Sequence, residues 1–116
     1  MEIVFVSIGD RGDFNSERIG FKVLKDCELK YFLVFKTRTT AGGFYNKSNA
    51  TYWFLPQQVK AGDKIVLYAK SGTDSVTRNS DGSSTYFFYW GLNSIIFQTD
   101  EDRVVIASIN TWNLVK

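Results

Sequence analysis

The chain has 116 residues, 44% of them hydrophobic and 22% charged, and carries a net charge of +2 at neutral pH. That balance describes one soluble globular domain over residues 1–116, long enough to bury a sufficient core unaided. The charge is too mild to argue for nucleic acid by electrostatics alone. The single cysteine, Cys27, excludes an internal disulfide, and the lack of histidine removes the usual general base.

Strand signals follow one another along the chain. "EIVFVSI" is β-branched and aromatic and stops at Gly9-Asp10, so the "RGD" that follows (residues 11–13) reads as a turn rather than an adhesion motif. "RIGFKVL" places Ile19, Phe21 and Val23 on one face. Cys27 then falls in a turn region rich in Lys, Asp and Glu. "YFLVFKTRT" is apolar on both faces as far as Phe35 and is broken by Ala41-Gly42-Gly43. The triplets Asn46-Lys47-Ser48 and Asn49-Ala50-Thr51 read as polar loop residues.

"ATYWFLP" is closed by Pro56, the only proline, which cannot donate to a ladder. A turn at Ala61-Gly62-Asp63 precedes "KIVLYAK". The polar tract "SGTDSVTRNSDGSS" then reads as a long loop or loose hairpin. "TYFFYWG" and "SIIFQ" are further strands. An acidic turn over Thr99–Asp102 leads into "RVVIASI" and the short tail "NTWNLVK".

No segment keeps a helical apolar period, and nothing repeats. Seven to nine short strands at even spacing predict an all-β, antiparallel two-sheet sandwich, with an OB-type barrel as the competitor. The opening "MEIVFVSIGDRGD" shows no basic leader and no apolar run long enough for secretion, so the expected location is the cytoplasm. No stretch approaches the ~18 apolar residues of a membrane span.

The order of several short motifs resembles the lamin tail domain. "TYWFLPQQVKAGDKIVLYAKSG", a polar loop and "YWGLNSIIFQTDEDRVVIASI" reproduce an aromatic strand ending in Pro, an "AGD" before an apolar strand, a Trp-Gly pair, and an acidic turn before a "VVI" strand. Upstream, "SERIGFKVLKD" looks like that family's early strand, with Glu17 ahead of alternating apolar residues. The resemblance covers roughly residues 17–109. It implies an immunoglobulin-like β-sandwich, a non-enzymatic platform for protein or DNA partners, and, without a filament rod, a stand-alone bacterial or phage protein.

Residues suited to carry chemistry are few. Asp100, Glu101 and Asp102 lack the alternating spacing and turn glycine of a calcium loop, and so does the set Asp74, Asn79, Asp81 and Gly82. "AGG" at 41–43 lacks the lysine and helix of a phosphate loop. No catalytic residue, metal or cofactor is therefore expected.

The aromatic runs are the remaining signal. In "TYFFYW" neither face is polar, so Tyr86, Phe88 and Trp90 or else Phe87 and Tyr89 must point away from the core. The resemblance turns Trp90 inward, with Phe87 and Tyr89 outward, and in "TYWF" it turns Tyr52 and Phe54 inward and Trp53 outward. Lamins usually carry a basic side chain at the position of Trp53, so an exposed tryptophan there suits stacking or an apolar partner. In "YFLVF", Phe32 and Val34 share one face and Tyr31, Leu33 and Phe35 the other; Phe32 is expected to extend the outer apolar surface with Trp53.

The predicted core is Tyr52, Phe54, Ile65, Leu67, Phe88, Trp90, Val104 and Ile106. The expected function is binding, through Trp53, Phe87 and Tyr89, of a second copy or another protein, unless residues 71–85 or the tail with Trp112 cover that surface. The alternative is nucleic-acid binding, with aromatics stacking on bases and Lys36, Arg38, Lys47, Lys70 and Arg78 holding phosphates.

Overall fold

A computed structural model describes residues 1–48 and 50–116; Asn49, in the second of the two glycosylation-type triplets, lies outside the described residues. Among the described residues the fold is all-β, with eleven strands and one short 3-10 turn, Leu29–Tyr31. The strands are β1 (Ile3–Gly9), β2 (Arg18–Val23), β3 (Cys27–Glu28), β4 (Phe32–Thr40), β5 (Gly43–Phe44) and β6 (Ala50–Trp53). They continue as β7 (Gln58–Val59), β8 (Lys64–Tyr68), β9 (Ser75–Arg78), β10 (Ser84–Tyr89) and β11 (Asp102–Ser108). None of the helical structure is long and apolar enough to cross a membrane.

One sheet runs β1-β2-β8-β10-β9. In the second, β4 is flanked by β11 and β6, and β5 folds back on its far end. A small ribbon pairs β3 with β7. The two main sheets face each other across one cluster of buried side chains. Ile19, Phe21, Val23, Ile65, Leu67 and Phe88 come from the first sheet, and Phe32 and Val34 from the second, with Phe54 just beyond the end of β6. The Phe54 ring stands edge-on to Phe88 at 5.3 Å and to Phe21 at 6.5 Å. Truncating Phe54 or Phe88 to Ala would cost ~3–5 kcal/mol.

Of the predicted core, Phe54, Ile65, Leu67 and Phe88 are buried, and Tyr52, Trp90, Val104 and Ile106 are half-buried against them. Burial, followed by the charge of Asp74, pushes the Tyr52 phenol up to about 12. Val104 and Ile106 face inward but line a cavity of about 390 Å³ between β11 and the β1-β2 hairpin, with Phe5, Ile8, Ile19, Phe21 and Phe97. Phe32 is 2% exposed, so it belongs to the core and adds nothing to an outer surface; its alternation partner Val34, at 0%, shows why.

Three sequence expectations are corrected. The sheet is mixed, because β8 and β10 run parallel, from Lys64↔Thr85 to Tyr68↔Tyr89. A parallel pair needs a long crossover, and the tract 69–83 supplies it. Within that tract Ser75–Arg78 forms β9, hairpinned to β10 through Asn79 N–H to the Ser83 carbonyl at 2.8 Å.

"SIIFQ" is not a strand. Its Ile96 and Phe97 side chains are buried, but their backbone N–H groups donate to the Glu17 carboxylate instead of a neighbouring strand. The count of eleven exceeds seven to nine because β3, β5 and β7 are two-residue pairs.

The motif acids turn out to hold backbone. Glu17, 0% exposed, accepts from Gly12, Ile96 and Phe97 N–H. Asp63 accepts from Lys60 and Ser84 N–H at 2.9 Å each, fixing the turn before β8 to the start of β10. Asp102 accepts from Gln98 and Thr99 N–H at 2.7 and 2.8 Å. A buried carboxylate is tolerable only with such donors, and each of these side chains ties loop backbone in place.

Candidate functional site

Strand alternation decides which aromatics are available. Along β6 and just beyond it, Tyr52 and Phe54 enter the core, so Trp53 must leave it. Pairing sets Trp53 beside Leu33 and Leu33 beside Ala107, and in the next row Thr51, Phe35 and Val105. The outer face of β6-β4-β11 is thus apolar across all three strands.

Two further groups extend it. Phe44, brought over by β5, lies 6.1 Å from Phe35. Trp112 stands perpendicular to Trp53 at 4.9 Å and tilted to Tyr31 at 5.9 Å. Trp53 remains 42% exposed, Phe44 49% and Trp112 50%. The Trp53 indole N–H donates to the Lys30 carbonyl at 2.7 Å, so its ring is held in one orientation before any partner arrives.

Phe87 and Tyr89 do point outward, but from the other sheet. Their neighbours Tyr86, Phe88 and Trp90 face the core, and Phe87 pairs with Val66 and Ser75. Both are half-buried rather than bare. Tyr89 stacks on Tyr68 at 5.2 Å with the rings 10° from parallel, and Lys70 Nζ sits 5.4 Å from the Tyr68 ring. Gly72 crosses directly over Tyr89: a Cβ there would fall 2.4 Å from the ring. The chain's own tract after β8 therefore covers part of this face. Trp53 and the pair Phe87/Tyr89 lie on opposite outer faces and cannot form one contact patch.

The five cations are likewise divided. Lys36, Arg38 and Lys47 line one cleft, with Thr37, Tyr45, Gln98 and Asp102. Lys70 lies over Tyr68, and Arg78 is exposed on β9, so both belong to the other sheet. Burial alone would raise the Asp102 carboxyl. The N–H donors of Thr99 and Gln98 and the charges of Lys36 and Arg38 outweigh burial and hold it below the usual carboxylate range.

Elsewhere the reactive inventory is thin. Burial, then the charges of Glu2, Asp26 and Glu28, pushes the Cys27 thiol up to about 11, which keeps it protonated at neutral pH. Arg11 of "RGD" packs on the Phe97 ring at 4.5 Å, and Gly12 N–H is bound by Glu17, so the tripeptide is a packed turn. No group of three His, Cys, Asp or Glu among the described residues is placed to hold a metal ion.

Sequence reasoning missed Phe44 as a surface residue. The signal was present in "AGGFY", where a tight turn after β4 must return the next aromatic to the same sheet.

No protein-family model matches the sequence, and no curated protein matches it. The class is therefore defined by fold and surface alone: an all-β, sandwich-like protein with one broad aromatic sheet face.

Proposed function

We propose that this chain is a non-enzymatic binding module, a lamin-tail-like domain of immunoglobulin-type sandwich architecture and bacterial or phage origin, acting in the cytoplasm. It recognises a protein surface, most simply that of a second copy, through the outer face of β6-β4-β11. The observation that carries this reading is the oriented, half-exposed Trp53 at the β6 end of an apolar row that crosses three strands. Large aromatic anchors in such a row are what protein interfaces concentrate. The buried carboxylates of Glu17, Asp63 and Asp102 are occupied as acceptors of backbone N–H groups, which supports a module without turnover.

Light scattering at micromolar concentration tests the reading. The wild-type protein should associate, Trp53→Ser should be monomeric, and Phe87→Ser, on the opposite face, should associate as wild type does. A wild-type monomer whose Trp53 fluorescence and stability respond to no partner protein would overturn it. Nucleic-acid binding is the second reading, carried by the convergence of Lys36, Arg38 and Lys47. It requires affinity to fall steeply with salt, whereas apolar association through Trp53 should survive salt.

A further inference from the structure

The cleft around Lys36 has a property that the apolar face does not explain. Lys36 and Arg38 are two residues apart on β4, so they project to the same side. That side is the inner one, since Val34 of the same row is in the core. Lys36 is only 9% exposed, yet among the described residues its ammonium has neither a hydrogen-bond acceptor nor an ion-pair partner within 4.0 Å. No polar side-chain atom there is both sealed from solvent and unsatisfied. The Lys36 stem is therefore buried and its charged end opens into the cleft of about 130 Å³.

A nearly buried cation is costly unless an anion or water meets it. Asp102 meets part of that need. Its Oδ2 is already taken by two backbone N–H groups, and its Oδ1 lies 3.8 Å from Arg38 Nε, beyond hydrogen-bond length. Lys47 adds a third cation on the exposed side of the same cleft. Three cations against one carboxylate leave two positive charges converging on a small space.

We infer that this cleft binds a phosphate monoester or free phosphate, with Lys36 at its floor, Arg38 and Lys47 at its walls, and Tyr45 and Gln98 at its mouth. The charge matches: a phosphate monoester carries roughly −1.5 to −2 at neutral pH. The donors also match, since a guanidinium and two ammonium groups suit a tetrahedral oxyanion with several acceptor oxygens. The site is independent of the apolar-face reading, because none of its residues lies on that face's exposed aromatic row.

The test is heteronuclear NMR titration of the full chain with inorganic phosphate, phosphoserine and a nucleoside monophosphate, with chloride at matched ionic strength as control. Amide shifts should appear at Lys36, Thr37, Arg38, Tyr45 and Gln98 with all three phosphates and not with chloride. If only one of the three binds, it identifies the source of the phosphate group, provided that binding depends on Lys36. Lys36→Met, which keeps the buried stem, and Lys47→Ala, which is exposed and leaves the core untouched, should each weaken binding by ~10-fold or more. Lys25→Ala should leave it unchanged. Absence of cleft shifts with every phosphate, or phosphate affinity that Lys36→Met and Lys47→Ala both leave intact, would overturn the assignment.

Discussion

Removing the Glu17 carboxylate should unlock two loops at once. In Glu17→Ala the N–H groups of Ile96 and Phe97 lose their acceptor inside the protein, while Gly12, which is exposed, can turn its N–H to water. A buried donor left unsatisfied costs ~1–3 kcal/mol, and the contact to Phe97 is long at 3.5 Å and belongs at the low end. The expected loss is ~2–4 kcal/mol, a large fraction of the ~5–15 kcal/mol available to a domain of this kind. For a chain between the small and medium size classes this lowers Tm by roughly 8–16 °C.

Urea unfolding followed by tryptophan fluorescence measures the loss, and an unchanged m-value shows that the native fold persists. Native-state hydrogen exchange should show the Ile96 and Phe97 amides losing protection ahead of the strands. Glu17→Gln retains one carbonyl oxygen for these donors and should fall between wild type and Ala. If Glu17→Ala stays within ~0.5 kcal/mol of wild type, the carboxylate does not hold these loops and the account of "SIIFQ" as an anchored loop fails.

Two further outcomes are expected. The lowered Asp102 carboxyl contributes stability that is complete above its ordinary value of 3.8 and is lost as pH falls through its lower folded value. Acid titration of Asp102→Asn should therefore show a shallower decline than wild type; equal slopes would remove Asp102 from the account. The raised Cys27 thiol works in the opposite direction, with its contribution complete below 9.0 and lost as pH rises towards about 11. At pH 8 iodoacetamide should label native Cys27 about 100-fold more slowly than the unfolded chain, from thiolate fraction alone, and comparable rates would contradict it.

The long strands could be read from the chain because β-branched and aromatic runs end at Gly, Pro and Asp: "EIVFVSI", "RIGFKVL", "KIVLYAK" and "RVVIASI" each cover one of the observed strands to within a residue. The division of side chains between two faces was also legible, as with Tyr52 and Phe54 against Trp53, since alternation needs no knowledge of neighbours, while the resemblance supplied which set turns inward. Strand pairing was not. Whether Trp53 and Phe87 share a surface depends on which sheet each strand joins, and that rests on contacts far apart in sequence such as Leu33↔Trp53 and Phe87↔Val66. The short pairs were hidden for the same reason, Cys27↔Val59 being an example. "SIIFQ" misled because a buried apolar run looks the same whether its backbone donors meet a strand or a carboxylate. Lys36 was legible as a cation but not as a nearly buried one, because its place opposite Val104 is set by β11.

The two borders of the five-stranded sheet bear on how copies of this protein can assemble. β1 ends the sheet on one side, and between Phe5 and Ser7 its ladder is interrupted by an extra residue, Val6, which is exposed beside the exposed Phe5. Without that interruption an apolar border of this kind would be a template for strand-on-strand growth; the bulge twists it and breaks the even spacing an incoming strand needs. On the far side the border is β9, four residues long, exposed throughout and ending in Arg78. Neither border offers the long, flat, regular ladder from which a fibril grows. Association through this sheet is left to its outer face, and a face that meets its own copy across a two-fold axis is used up by a single partner. Copies joined in that way stop at small, closed assemblies.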